Sequence, residues 1–329
     1  MRLSKPPACT ARATALPTAK PSAKPAARPF LKWAGGKTQL LDEIQRRLPG
    51  EILQGGITRY LEPFVGGGAA FFAINQRYAF ECSDICDINE ELVLAYMVVK
   101  HDVEDLIAVL GEMEKEYSAL DEAGRSAYFY WIRESFNAEK EGTCFDAYAR
   151  SWIDRAARLI FLNHTCFNGL YRVNARGHFN VPFGRYLSPR ILDAQNLRLA
   201  SEVLERTAIH HGDFTGCEEM VDERTFVYLD PPYRPLSSTA QFTGYYQAGF
   251  GEGDQVRLAE FIGTLGRRGA KIMLSNSDPC NEDPDDTFFD TLYAGYTIDR
   301  VSAKRTINSN AARRGAISEL IITNYPPVG

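Results

Sequence analysis

The chain lacks any run of about 18 apolar residues, so no segment is long enough in hydrocarbon to cross a bilayer as a helix. It also lacks a C-x-x-C pair. Its seven cysteines (Cys9, Cys82, Cys86, Cys144, Cys166, Cys217 and Cys280) are odd in number and have no histidine at metal-ligand spacing. That argues against both a disulfide framework and a zinc centre, and it points to a reducing, cytoplasmic compartment. Compositional bias is missing too. With 45% hydrophobic and 24% charged residues over a length of 329, disorder, collagen and coiled coil are excluded as the whole answer, and the chain can bury a real core without disulfide staples. No repeat of about 20 to 50 residues is visible.

Acidic side chains are missing from three places. Residues 1–29 hold three Lys and three Arg with no acid, so the remaining 300 residues carry 31 basic against 42 acidic side chains, a net of −11. Within that acidic remainder, Arg155 to Leu192 has six arginines (Arg155, Arg158, Arg172, Arg176, Arg185 and Arg190) and no acid. Arg300 to Ser318 has Arg300, Lys304, Arg305, Arg313 and Arg314 and again no acid. An acidic protein with two basic windows is expected to hold a polyanion in one place, although solvated basic faces would give the same pattern.

The first 29 residues, with eight Ala and six Pro and no hydrophobic period, read as a disordered basic tail. Beyond it, Leu40–Leu48 reads as a short helix, Thr58–Val65 as a strand entering Gly66-Gly67-Gly68, Ala69–Gln76 as a helix, Tyr78–Cys82 as a strand and Glu90–Lys100 as a helix. This is a βαβ unit of a doubly wound sheet. From about Val103 to Leu162 the apolar period is helical, and 163–190, rich in Asn, Gly and Pro, reads as a hairpin or ordered loop. Strands are expected again at Ile209–His211, Thr225–Leu229, Lys271–Leu274 and Glu319–Thr323, with a helix over Asp254–Leu265. The fold class is α/β: a catalytic domain of residues 30–100 and 205–329 interrupted by a mainly helical insertion, 101–204.

Four constellations carry chemistry. Leu61-Glu62-Pro63-Phe64-Val65-Gly66-Gly67-Gly68 ends a strand in glycines, which suits either close approach to a nucleotide-like ligand or a plain tight turn. Phe71 stands where the dinucleotide fingerprint needs its last glycine. Trp33-Ala34-Gly35-Gly36-Lys37-Thr38 is no phosphate loop, because Leu31 occupies the place of the first glycine; a lysine and an aromatic beside glycines suit a ligand with a carboxylate and a flat part. Asp84 and Asp87 follow the second strand, where a carboxylate can accept from both hydroxyls of a ribose, while Asn89 reads as a helix cap.

The strongest signal is Val227-Tyr228-Leu229-Asp230-Pro231-Pro232-Tyr233. An apolar strand delivers Asp230, and two prolines then remove N–H donors, leaving the Pro231 carbonyl and the Asp230 carboxylate as bare acceptors. Two acceptors suit an exocyclic amino group: holding both hydrogens draws the nitrogen lone pair out of conjugation and aims it at an electrophile. Tyr233 adds a face on which an extruded base can stack. Asp230, Pro231, Pro232 and Tyr233 are therefore the expected catalytic set.

With these residues in hand, the chain resembles the DNA adenine N6-methyltransferases of the Dam and DpnII type, in which the cofactor motif precedes the recognition region and Asp-Pro-Pro-Tyr follows it. The likeness runs from Pro29 to Tyr325 through Phe30–Thr38, Leu61–Gly68, Asp87–Leu92, Asn168–Tyr186, Gly212–Phe214, Tyr228–Phe250, Leu274–Asn276 and Arg305–Ser309. It implies a doubly wound mixed sheet of the S-adenosylmethionine-dependent methyltransferase type with an inserted target-recognition domain. It implies S-adenosylmethionine as cofactor, no metal, and double-stranded DNA as partner, with localisation to the nucleoid through DNA. Lys37 would pair with the methionine carboxylate, and Trp33 and Glu62, Pro63, Phe64, Gly66 and Gly68 would wrap the methionyl part. Asp87 would hold the ribose, Asp213 and Phe214 would meet the adenine, and Asp230 would touch cofactor and target alike. The stretch before Asn89 is about three residues longer than the family's, so Asp84 competes with Asp87; the order Asp-Ile-Asn-Glu-Glu-Leu favours Asp87. Leu170, Arg172 and Pro182 fall where these enzymes recognise GATC, and Arg172 suits a bidentate contact with guanine. Asn174, Arg176, Arg185, Arg305 and Asn308 complete the expected DNA-facing set, with Arg176, Arg185, Arg305 and Arg313 on phosphates. A monomer is expected, linked to a cognate restriction endonuclease in function at most. The alternative is an RNA amino-methyltransferase acting on an exocyclic base amine, and the helical insertion with its Arg-rich hairpin argues against it.

Overall fold

The computed structural model describes residues 25–234, 250–304 and 316–326. Order begins earlier than the composition suggests. Ala27 is buried, its N–H and C=O both bonded to the Gln76 amide, and the Arg28 N–H donates to Asn196 at 2.9 Å, so the end of the expected tail is pinned to the body of the protein.

Seven strands form one sheet: β1 (Arg59–Glu62), β2 (Cys82–Asp87), β3 (Thr207–His211), β4 (Thr225–Leu229), β5 (Lys271–Ser277), β6 (Thr297–Lys304) and β7 (Ala316–Thr323), in the order β3-β2-β1-β4-β5-β7-β6. The first five run parallel, and β7 is antiparallel to both neighbours. This is the expected α/β, doubly wound mixed sheet. Side chains alternate across it as strand geometry demands. Tyr60, Ile85, Phe226, Tyr228 and Met273 face one core, while Leu61, Cys86, Val227, Leu229, Ile272 and Leu274 face the other. The strand order reverses between β1 and β4, and the crevice outside their carboxyl ends is where such sheets receive ligands.

The helices are α1 (Leu41–Arg46), α2 (Ala69–Asn75), α3 (Glu90–His101), α4 (Val103–Ser118), α5 (Glu122–Ala138), α6 (Trp152–Thr165), α7 (Ala194–Leu204), α8 (Glu252–Arg267) and α9 (Phe288–Leu292). The Asn89 side chain caps α3 by accepting from the Glu91 and Leu92 N–H groups, as expected. The helices α4, α5 and α6 share the core of the first sheet face through α3, so the insertion extends that core. At its end, α7 returns to pack on α3 and β3.

Two expectations need correction. The second strand is not Tyr78–Cys82 but Cys82–Asp87; Tyr78 belongs to the turn that closes α2, its N–H bonded to the Ile74 carbonyl. The apolar Tyr-Ala-Phe run drew the reading, whereas the real strand carries Ser83 and Asp84, whose polarity is satisfied by Asn75 and His210. The strand β6, with its charged alternation, was missed altogether.

Candidate active site and nucleic-acid face

The all-buried strand β4 carries Asp230 to the crevice, and the double proline holds the chain there. Lys37 is buried, with its ammonium 2.7 Å from the Asp230 carboxylate, 3.1 Å from the Gly35 carbonyl and 4.4 Å from the centre of the Tyr233 ring. Burial raises the Asp230 carboxyl above the ordinary range, and the Lys37 charge opposes that rise. The Tyr233 hydroxyl donates to Glu319 at 2.7 Å; burial, with Asp230 and Glu319 nearby, pushes it far up, so it remains a neutral donor. From β5, Ser275 donates to Asp230 at 3.2 Å, and its hydroxyl is paired at 2.9 Å with that of buried Tyr228. These groups set Lys37 beside Asp230, the acid of the expected catalytic set.

The end of β1 forms the second wall. Glu62 is buried, accepts from the Tyr60 hydroxyl at 2.5 Å, and is pushed well above the carboxylate range by burial, with Asp230 and Asp87 adding to the rise. Pro63 and Phe64 follow, and then the chain turns through left-handed conformations at Gly66 (φ +48°) and Gly68 (φ +75°). A Cβ on Gly68 would stand 2.5 Å from the Tyr96 hydroxyl, which itself donates to the Gly66 carbonyl at 3.0 Å. The turn therefore needs glycine for its torsion and for its space. Trp33 lies against Gly66 and stacks on Tyr171 at 5.2 Å, linking this wall to the 163–190 segment.

Of the two competing acids, Asp87 ends β2 beside the glycine turn. One of its oxygens accepts from the Gly66 N–H at 3.0 Å, the other from the Asn89 N–H at 2.9 Å, and burial raises it to about 6. Asp84 sits within the strand on the opposite face, paired with His210 at 2.9 Å. With the strand at Cys82–Asp87, it is Asp87 that stands at its carboxyl end. Asp213 and Phe214 arrive beside Asp87 because the Gly212 N–H donates to the Asp87 carbonyl at 3.0 Å. Phe214 packs against Phe64 at 5.2 Å and Phe250 at 6.3 Å. Asp213 already receives both guanidinium arms of Arg257, at 2.9 and 3.0 Å, together with Thr215. Burial alone would raise its carboxyl, but these donors hold it below the usual value.

Beyond the Trp33–Tyr171 stack, 163–190 folds back on itself with antiparallel bridges Cys166–Phe183 and Val173–Phe179. Leu170 is half-buried, and Arg172, Pro182, Arg176 and Arg185 are exposed. Arg172 is not loose: its guanidinium donates to the Asn180 side chain at 2.7 Å and to the Asn180 carbonyl at 3.3 Å. Asn174 is a turn-builder, its side-chain oxygen accepting from the Arg176 and His178 N–H groups. Arg305, Asn308 and Arg313 lie outside the described residues.

The basic windows shrink on inspection. Arg155 is buried in a two-pronged pair with Glu91 and donates to the Phe136 carbonyl; Arg158 pairs with Glu139 and Arg190 with Asp193. Arg300 is spent on Asp278 and Asp290. Only Arg172, Arg176 and Arg185 of the first window have no acid partner among the described residues. Gln255, Glu319 and Tyr96 are not legible in the sequence, because nothing local distinguishes them from ordinary strand and helix polars, and Ser275 stands there only as part of the family-like stretch Leu274–Asn276. Among the described residues no group of His, Cys, Asp and Glu could hold a metal ion, and no helix is long and apolar enough to cross a membrane.

Residues 33–307 match the family model of the D12 class N6 adenine-specific DNA methyltransferases. The chain is 49% identical over 297 residues to the type II methyltransferase M.MjaIII of Methanocaldococcus jannaschii, covering 90% of this chain and 98% of that one. It is 38% identical to the type II methyltransferase M1.LlaDCHI of Lactococcus lactis, covering 90% and 95%. It is 33% identical to the DNA adenine methylase of Escherichia coli, covering 91% and 96%.

Proposed function

Because this chain belongs to the D12 class of N6 adenine-specific DNA methyltransferases, we propose that it moves a methyl group from S-adenosylmethionine to N6 of an adenine flipped out of duplex DNA, within GATC. The observation that carries the reading is the acceptor-only edge at the end of β4, with Asp230 balanced by Lys37 and flanked by the Tyr233 ring. Asp230 and the Pro231 carbonyl hold the two amine hydrogens and so turn the nitrogen lone pair outward. Positioning of this kind can contribute about 7 to 11 kcal/mol. Extruding the base costs a few kcal/mol, which stacking on Tyr233 and phosphate contacts from Arg176 and Arg185 offset.

The residues fit the cofactor. A glycine turn that a Cβ would fill, a raised carboxyl at the end of β2 with acceptor capacity beyond its two backbone donors, and the Phe64–Phe214 pair suit a methionyl chain, a ribose diol and an adenine in that order. When bound, S-adenosylmethionine supplies an electrophilic methyl on a sulfonium sulfur. With Lys37 on Asp230 and Asp213 held by Arg257, the main polar grip falls to Asp87, and Lys37 acts chiefly as the counter-charge of Asp230. The GATC reading is supported by Arg172 and Pro182 standing exposed on the hairpin, with Leu170 half-buried on the same segment.

The test is single-molecule sequencing of genomic DNA from a methylation-free host carrying the protein or its Asp230→Ala variant. N6-methyladenine at GATC with the intact protein alone is the expected result. Another adenine motif would overturn the hairpin assignment, and no modified base from soluble protein would overturn DNA as substrate.

A further inference from the structure

Between the catalytic motif and the sheet lies a chain of buried amides that the reaction as described leaves unused. Gln255, in the first turn of α8, and Asn276, on β5, are both fully buried. The Gln255 Nε2 donates to the Pro232 carbonyl at 3.2 Å, its Oε1 accepts from Asn276 Nδ2 at 3.3 Å, and the Asn276 Oδ1 accepts from the Ser277 N–H at 2.9 Å. The direction of this relay is fixed. A prolyl carbonyl only accepts and a backbone N–H only donates, so each amide has one orientation that satisfies both ends.

The place it grips matters because of what two prolines leave free. Their rings lock φ at 231 and 232 and the peptide bonds are planar, so the direction of the Pro231 carbonyl is set by the two ψ torsions alone. Without N–H groups, the segment can be held only through its carbonyls and through Asp230. Ser275 holds the Asp230 carboxylate at the entry, and Gln255 holds the Pro232 carbonyl at the exit. We propose that Gln255, backed by Asn276, is a positioning residue: by pinning the Pro232 carbonyl it fixes the Pro231 carbonyl against the target amine. This rests on the methyl-transfer reading above. A misplacement of about an ångström at a reacting centre can cost roughly a hundredfold in rate, so a remote bond suffices to matter.

The test uses full-length protein, S-adenosylmethionine and a duplex whose site has first been defined with the wild type. Single-turnover methyl transfer is compared for wild type, Gln255→Met and Gln255→Glu, alongside equilibrium binding of cofactor and duplex and thermal unfolding. Gln255→Met keeps the volume and removes the donor; it should lower the single-turnover rate roughly ten- to a hundredfold while both affinities stay within about twofold. Gln255→Glu should be slower still near neutral pH and should recover relative to wild type as pH falls, because a protonated carboxyl regains a donor for the Pro232 carbonyl. Recovery of the rate with melting temperature and affinities unchanged over the same pH range separates this from a purely structural role, in which rate and melting temperature would recover together. An unchanged rate in Gln255→Met, or a loss that follows affinity or melting temperature, overturns the proposal. If Gln255→Met fails to fold, the Gln255→Glu pH ratio decides alone, a flat ratio overturning it. A wild type without methyl transfer would instead overturn the reading on which it rests.

Discussion

The Lys37 ammonium stands 2.7 Å from the Asp230 carboxylate, bringing together residues 193 positions apart in sequence and on opposite sides of the insertion. Lys37 is almost wholly buried, and its charge opposes the rise that burial gives the Asp230 carboxyl. Replacing it by methionine removes the charge that chiefly opposes the effect of burial, and the Asp230 carboxyl rises further. A protonated Asp230 carries a donor on one oxygen and no charge, and so is a weaker acceptor for the amine hydrogen. The acid limb of the single-turnover pH–rate profile should therefore move to higher pH in Lys37→Met, with a rate loss of roughly a hundredfold near neutrality. A profile of unchanged shape would mean that Lys37 does not set the state of Asp230.

Asp87 offers a second pH dependence with a different origin. Burial raises its carboxyl to about 6, and in the proposed function the ribose hydroxyls would donate to its ionised form. Affinity for the cofactor should thus be constant above that pH and weaken as pH falls through it, up to tenfold per unit in the limit where only the ionised form binds. Asp87→Asn should bind weakly at every pH, with a flat profile. Calorimetric titration of S-adenosylmethionine from pH 5 to 8 reads both, because that window brackets the raised value of about 6.

Much of this was legible in the sequence. Most of the sheet could be anticipated from its short apolar runs, the turn at Gly66–Gly68 from its glycines, and the acceptor-only edge at the end of β4 from Asp230-Pro-Pro-Tyr233, because each is a local pattern with a local cause. What could not be read is what depends on a partner far along the chain. The strand β2 was misplaced because Ser83 and Asp84 look unlike sheet residues until Asn75 and His210 are beside them. Ser275 and Asn276 were noticed as part of a family-like stretch, but their partners, Asp230 and Gln255, are supplied by the fold. Arg155 looked like part of a basic face for the same reason: its acid, Glu91, lies in another helix.

Arg155 and Glu91 consequently make a stability prediction rather than a DNA-binding one. Both side chains are buried, and burial raises the Glu91 carboxyl even with the guanidinium present. Arg155→Met should cost about 3 to 5 kcal/mol in urea unfolding, because it strands a carboxyl in the core. The double replacement Glu91→Leu with Arg155→Met should recover most of that loss. A double variant no more stable than the single would show that the arginine matters through its Phe136 contacts instead.

Gly68 tests the turn. Its φ of +75° is strained for any side chain, and a methyl there meets the Tyr96 hydroxyl that holds the Gly66 carbonyl. Gly68→Ala should lose about 1 to 3 kcal/mol of stability and weaken cofactor binding by a similar factor. Adding Tyr96→Phe removes the clash but neither restores the torsion nor replaces the hydrogen bond, so it should rescue stability only in part. Full rescue of both properties would place the whole effect in the steric contact.

The hairpin arginines separate affinity from sequence readout. Arg176 and Arg185 are exposed and without an acid partner among the described residues, whereas Arg172 is braced by Asn180. A braced guanidinium presents its remaining donors in one plane, as bidentate contact with guanine O6 and N7 requires. An unbraced one suits a phosphate, where direction matters less. Arg176→Ala and Arg185→Ala should each weaken binding to all duplexes alike and reduce the slope of log affinity against log salt by about 1. Arg172→Ala should instead shrink the preference for the cognate over a one-base-substituted duplex by roughly 1 to 3 kcal/mol while leaving the slope nearly unchanged. Asn180→Ala should resemble Arg172→Ala in weaker form, since it removes the brace and keeps the charge. Salt-series binding to cognate and substituted duplexes distinguishes these outcomes. An Arg172→Ala variant that lost salt dependence but kept its preference would reassign it to the backbone.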